Sequence, residues 1–220
     1  VTVQRNPAYA EFNIQNAGSK ALGRWGGLLR GQVFGLTGLG DRTTVALYST
    51  ADFKEQQTLQ VGHDFHLGSR GLSVSDSFTY AWAKPTIPDA HVLARTLLNT
   101  FEIGYPFVRR QAYSVRGSIG MDYVDQDVDL NHIDLNRDRL RVGFLRLGFD
   151  TQKTEFDDPG YSLAEPPWRA NAILELRQGM HSRGATDGGP GFVDCTGIGD
   201  VPPSRLEGRS DATVLRYTMY

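Results

Sequence analysis

Residues 72–82 read LSVSDSFTYAW, and the reading of this stretch decides the fold. Leu72, Val74, Phe78, Tyr80 and Trp82 share one parity, while Ser73, Ser75, Ser77 and Thr79 share the other. A period of two marks a β-strand whose successive side chains point to opposite faces. In a soluble sandwich the apolar face would meet a second sheet. In an outer-membrane barrel it would meet lipid, and the small hydroxyl face would line a wet interior.

The totals leave both readings open. A net charge of −2 over 220 residues gives no basic field for nucleic acid. A hydrophobic share of 40% with a mean hydropathy of −0.36 suits a soluble domain, and equally a barrel in which half of every strand is polar. No run of eighteen apolar residues exists, so no transmembrane helix is predicted. The single cysteine, Cys195, rules out an intramolecular disulfide framework and a multi-cysteine metal cage. The opening residues, VTVQRNPAYAEF, lack the charged start and apolar core of a secretory signal, and lack an initiator Met. The barrel reading therefore expects a chain that has been cut.

Alternating segments recur along the chain. Strands are predicted at 8–16, 23–34, 42–50, 57–67, 71–83, 95–106, 111–124, 138–150, 167–179 and 211–220. The segment 89–98 is read as loop running into strand. The connectors form two sets in strict alternation. One is mostly short, at 35–41, 68–71, 107–111 and the longer 151–166. The other is longer, at 16–23, 51–56, 83–91, 124–137 and 180–210. Tight turns on one rim and longer loops on the other describe an outer-membrane barrel. The aromatics agree: Trp25 and Trp82 fall beside the long loops, and Tyr105, Tyr113 and Trp168 beside the short turns, as two interfacial belts would.

The opposite parity is polar throughout. Glu11, Asn13 and Gln15 alternate with Ala10, Phe12 and Ile14, and Arg24, Arg30 and Gln32 oppose Trp25, Leu29 and Val33. Ser114, Arg116, Ser118 and Asp122 oppose Val115, Ile119 and Met121, and Arg169, Asn171, Glu175 and Arg177 oppose Ala172, Leu174 and Leu176. Each such charge would need a partner in a dry core, whereas a hydrated lumen removes the demand. The predicted lumen lining is therefore Glu11, Arg24, Arg30, Gln32, Arg116, Asp122, Arg169, Glu175 and Arg177. In 137–150, RDRLRVGFLRLGFD, the apolar parity switches near Phe144 and Leu145, and a bulge is expected there.

The order of these features resembles the barrel of the two-partner secretion transporters, the haemolysin secretion/activation family. The stretch NIQNAGSKALGRWGGLLRGQVFGLTGLGD is similar to that family's first hairpin, through Asn16, Gly18, Ser19, Gly23, Arg24, Gly38, Leu39, Gly40 and Asp41. FEIGYPFVRRQAYSVRGSIGMDY resembles its turn between two lipid-facing strands, through Tyr105, Pro106 and Arg109. The resemblance implies an all-β antiparallel transmembrane β-barrel of about sixteen strands, of which this chain is partial at about ten, preceded by periplasmic POTRA domains. Residues 1–7 would be the tail of such a segment and 8–220 the N-terminal portion of the barrel. It also implies a lumen loop with a Val–Arg–Gly–Tyr tip. Val115, Arg116 and Gly117 spell its first three letters, but Ser118 follows and the strand pattern makes them wall residues.

Other chemistry is set aside on spacing. The glycines of 35–43 precede no helix that could hold phosphate. His63 and His66 differ by three and face opposite sides of a strand. Asp125, Asp127 and Asp129 begin like an EF-hand, but Leu130 and Asn136 stand where that loop needs Gly and Glu, leaving a solvated acidic loop. His181, Ser182 and Asp187 lie in a Gly-rich segment without rigid support for a hydrolase triad. The expectation is a translocator pore in a Gram-negative outer membrane, a monomeric barrel in lipid, passing a large β-helical haemolysin- or adhesin-type exoprotein. It calls for no cofactor, no metal and no catalytic group. A membrane-protein assembly barrel, a passive porin and an outer-membrane enzyme such as a phospholipase are the alternatives.

Overall fold

The structure, a computed structural model, describes residues 6–152, 168–181, 184–186, 201–205 and 208–220. Its elements are strands: β1 (Ala8–Gln15), β2 (Gly26–Phe34), β3 (Arg42–Thr50), β4 (Gln56–Leu67), β5 (Leu72–Ala83), the two-residue β6 (Thr86–Ile87), β7 (Ala90–Arg109), β8 (Tyr113–Leu130), β9 (Ile133–Gln152), β10 (Arg169–Gly179) and β11 (Thr213–Met219). They form one antiparallel sheet in chain order, with β6 paired only to β7. The sheet is open, with β1 and β11 at its edges.

Sequence-adjacent strands pair because alternation fixes register: a slip of one residue would turn every side chain to the wrong face. Hydrogen-bonded rows make the two faces explicit. On one face Phe65, Val74, Ile103, Ile119, Leu145, Leu176 and Leu215 stand opposite one another across seven strands. The other face carries Ser73, Ser75, Ser77, Thr79, Glu11, Arg30, Arg116, Asp122, Glu175 and Arg177. Asp76 interrupts the apolar parity of 72–82. Its Oδ1 accepts a hydrogen bond from Asn99 Nδ2 at 3.0 Å, and His63 stands opposite it across β4.

The apolar band runs obliquely to these rows. The row Phe12–Leu29–Leu47–Leu59–Tyr80 is apolar on β1–β5, yet continues as Leu97, Asp125 and Arg139 on β7–β9. On β9–β11 the band has moved to the row of Val74, six residues along β5. At about 3.3 Å per residue and about 4.8 Å between strands, the drift is about 20 Å over about 34 Å. That is a slope of about 30°, close to the strand tilt that closes a barrel.

The structure corrects three expectations. No bulge lies at Phe144–Leu145; register shifts occur only at Pro106/Val108 and Val128/Asp129 in the described ladders. The parity switches because Phe144 turns its ring onto the polar face, where Gly120 opposite it leaves room. A Cβ on Gly120 would meet Phe144 Cζ at 2.3 Å. The segment 124–137 is not a loop: β8 and β9 run on to a two-residue turn, Asn131–His132, both at positive φ. Such a turn matches the twist of the strands it joins. Asp125, Asp127 and Asp129 lie on one face of β8, paired with Arg141 at 2.7 Å, Arg137 at 2.6 Å and Arg95 at 2.7 Å. Lastly, 89–98 is strand from Ala90 onward.

Beyond Gly179, where β10 leaves it, the edge of β9 is covered by parts of the β10–β11 connection. Thr186 exchanges hydrogen bonds with Arg139, and Arg137 N donates to Pro202 O at 2.9 Å. Ser182, Asp187 and Cys195, residues 1–5 and residues 153–167 lie outside the described residues.

Candidate functional site: a charged ladder on the polar face

Four adjacent strands, β7 to β10, bring five charged side chains together on the polar face. Arg146 donates to Glu175 at 2.9 Å and to Glu102 at 3.0 Å. Arg177 donates to Glu175 at 2.9 Å and to Asp122, whose other oxygen accepts from Thr100 at 2.8 Å. The order is Glu102–Arg146–Glu175–Arg177–Asp122, acid and base in alternation. Glu175 is the centre, taking one guanidinium on each oxygen, and its side chain is 7% exposed.

Phe144 organises the ladder. Its ring, seated over Gly120, lies between the two guanidinium groups, whose carbons stand 5.0 and 5.7 Å from its centroid. A guanidinium over an aromatic face keeps its edge free for carboxylates. The ladder has three acids and two bases, so it presents a nearly neutral surface in which each charge has an opposite partner. Nothing in it resembles a nucleophile with its base, and among the described residues no group of three His, Cys, Asp or Glu could hold a metal.

Of the predicted lumen residues, Asp122, Glu175 and Arg177 meet here. Arg30 and Glu11 face each other at 3.6 Å on β1–β2, both well exposed, and Gln32 donates to Thr44 at 3.4 Å. Arg116 lies near Arg42, Asp64, His66 and Arg109 around a cavity of about 320 Å³. Arg169 is exposed, 3.6 Å from Asp150. Arg24 stands before β2, in the β1–β2 connection, where its carbonyl accepts from Gly18 N at 3.2 Å. Arg146 and Phe144 were missed in the sequence because the parity switch at Phe144 hid the polar face of β9, and Thr100 and Glu102, on β7, join the ladder only through cross-strand register. The available signal was Arg146 at the same parity as Phe144.

The resemblance positions are turn-builders. In 16–24 Ser19 Oγ accepts from Leu22 N at 3.2 Å, and Asn16 precedes the turn. A Cβ on Gly18 would meet Gly23 O at 2.0 Å, and Gly23 itself has φ +85°. In 35–41 Asp41 accepts from Leu36 N at 2.9 Å, Thr37 N at 3.0 Å and Thr37 Oγ1 at 2.8 Å. Burial pushes the Asp41 carboxyl up, but the Thr37 and Leu36 donors outweigh it and hold it below the usual carboxylate range. Gly38 and Gly40 supply the positive φ of that turn, and Leu39 O accepts from His66 N at 3.1 Å. Tyr105 meets Phe107 edge-on at 5.6 Å, and Pro106 and Arg109 lie beside Gly71 at the β7 bulge.

Neither a known protein family nor a curated protein matches this chain in sequence. Solved structures match it in fold. CdiB from Escherichia coli aligns with a TM-score of 0.76 at 14% identity, over 99% of this chain and 38% of that one. BamA from Haemophilus ducreyi, in a form lacking POTRA domains 1–3, aligns at 0.51 and 11% identity, over 84% of this chain and 36% of that one. The chain thus spans less than two-fifths of the length of either. The resemblance drawn from the residues holds in fold: this chain is an open antiparallel sheet that matches the β-barrels of CdiB and BamA.

Proposed function

We propose that this chain forms part of the wall of an outer-membrane pore through which a two-partner secretion system exports a polypeptide. The observation that carries the reading is the CdiB likeness over 99% of the chain, on a sheet that gathers its ladder of paired charges on one face. In this reading the apolar face meets lipid, Glu11, Arg30, Gln32, Arg116, Asp122, Arg169, Glu175 and Arg177 line the lumen, and Arg24, expected there from the sequence, stands off the wall in the β1–β2 connection. The host is a Gram-negative cell, the barrel is monomeric and POTRA domains lead to residue 8. The cargo is a large β-helical haemolysin- or adhesin-type exoprotein.

The mechanism needs a wall that an extended chain can pass without sticking. The ladder supplies it: each guanidinium is held by carboxylates, so none is free to trap a passing acidic group. An unpaired arginine on a lumen wall would bind such groups for longer. The comparisons support transport or assembly barrels over enzymes. The test is secretion in a strain lacking the gene, complemented with the full-length protein. Partner protein reaching the medium supports the reading. Loss of outer-membrane protein insertion instead, with no secreted partner, would favour the assembly reading that the BamA likeness raises.

A further inference from the structure

We propose that Arg109 and Arg116 form a binding site for the carboxylate side chains of an extended polypeptide, at a cavity on the polar face beside the short turns. This inference deepens the pore reading and rests on it, since the polypeptide is the exported chain.

The β7 bulge builds the site. Register shifts between Pro106 and Val108, so Phe107 is the extra residue, and its ring lies against Gly117 on the apolar face. Without the shift Arg109 would share the parity of Ile103 and Tyr105 and face away from the lumen. With it, Arg109 stands opposite Ser114, on the polar face with Arg116 two residues further along β8. A bulge that re-aims one side chain is a placed feature of a sheet. Both arginines line the cavity of about 320 Å³, together with Ser73 and Ser75 of β5 and the pair Arg42–Asp64. Arg109 Nη1 lies 3.4 Å from where a Cβ on Gly71 would stand, so glycine there leaves the guanidinium its place.

Charge sets the occupant. Both arginines are exposed, and neither makes an ion pair among the described residues. The described acids at this rim are engaged elsewhere. Asp64 takes Arg42 Nε and Nη2, both at 2.9 Å, and Asp150 takes Asn171 at 2.9 Å and Arg169 at 3.6 Å. Asp41 is closed within its own turn. The Arg42–Asp64 pair shows, at the cavity wall itself, how a carboxylate seats on a guanidinium, through two N–H donors of one planar fork. The next polar-face residue along β8 after Arg116 is Ser118, which stands opposite Arg146 of the ladder. The wall thus offers free guanidinium groups beside the short turns and neutralised ones beyond them. Short turns mark the periplasmic rim of such a barrel. An entering acidic segment is held first at Arg109 and Arg116, and then meets a surface that does not retain it.

The full-length protein, purified in detergent, is titrated at low salt with a fluorescent peptide of alternating Glu and Ser, and with its Gln counterpart. Inorganic phosphate serves as the competitor. The acidic peptide is expected to bind about tenfold tighter or more. Arg109→Gln with Arg116→Gln removes that preference while heat-modifiable gel migration persists. Arg110→Gln with Arg139→Gln deletes two charges elsewhere, one over the Tyr113 ring and one opposite Asp125, and leaves the preference intact. Equal binding of the two peptides, a preference that survives the first double variant or is lost in the second, or full displacement by phosphate at the peptide's own concentration would overturn the proposal. Equal binding is also the outcome if acids of the β9–β10 connector, Glu155, Asp157, Asp158 and Glu165, already occupy the two arginines. The secretion assay reports the pore reading separately. Export with equal binding refutes this site alone, and acid preference without export refutes the pore reading alone.

Discussion

Replacing Glu175 with Gln removes the central charge of the ladder and leaves its shape. The carboxylate takes two guanidinium hydrogen bonds, both at 2.9 Å. At an effective dielectric of about 20, each contact carries roughly 4 kcal/mol of Coulomb energy at 4 Å. Most of this is offset by desolvation, and Arg146 and Arg177 are 34% and 25% exposed, so screening reduces it further. Each arginine also keeps a second acid, Glu102 or Asp122. A net loss of about 2 kcal/mol is expected, within the range of charged hydrogen bonds. The assay is denaturant unfolding of the full-length protein in detergent, followed by tryptophan fluorescence, for E175Q, R146Q and the double variant. The coupling between the two sites should be about 1 kcal/mol or more. Strict additivity, or a change below about 0.5 kcal/mol for E175Q, would refute the claim that the ladder acts as one unit.

Gly120→Val should dislodge Phe144, since even a Cβ meets its ring at 2.3 Å. The expected cost is about 1–3 kcal/mol by the same unfolding assay, and Phe144→Ala on that background should recover part of it. Asp41→Ala removes three hydrogen bonds that close the β2–β3 turn. A loss of about 2 kcal/mol is expected, with faster amide exchange at Leu36 and Thr37 than elsewhere on the sheet. The Asp211 carboxyl, bonded by Arg209 and then His181, is held at about 2. Its folded value is depressed, so the pairing should be complete above about pH 4 and lost only as pH falls through about 2. Carbon-13 NMR of the carboxyl gives the midpoint, and a value near the ordinary 3.8 would refute the pairing.

The fold was legible because strand alternation recurs along the chain and register follows from it, while the two connector sets hold except at 124–137, where only Asn131–His132 join the strands. Reading 124–137 as a loop failed on charge: alternating Asp on one strand and Arg on the other look like solvated loop until they are folded face to face. VDQDVDL against RDRLR about Asn131–His132 is a hairpin pattern whose glue is ionic in place of apolar. The ladder was half legible. Asp122, Glu175 and Arg177 declare their face by parity, but their partners on β7 and β9 are fixed only by register across strands. Phe144 breaks the alternation because a cavity above Gly120, set by a different strand, rewards it. The polar pair Asp76–Asn99 on the apolar face is likewise a cross-strand fact, although Asp76 itself was visible at the outward parity.

The central claim is that the polar face meets water and the apolar face meets lipid. With Cys195 replaced by Ser, single cysteines at Ser77, Phe78, Thr79 and Tyr80 of the full-length protein are exposed in outer membranes to a water-soluble maleimide. Positions 77 and 79 should label and positions 78 and 80 should not, until detergent is added. Equal labelling at all four, or the reverse pattern, would contradict the account.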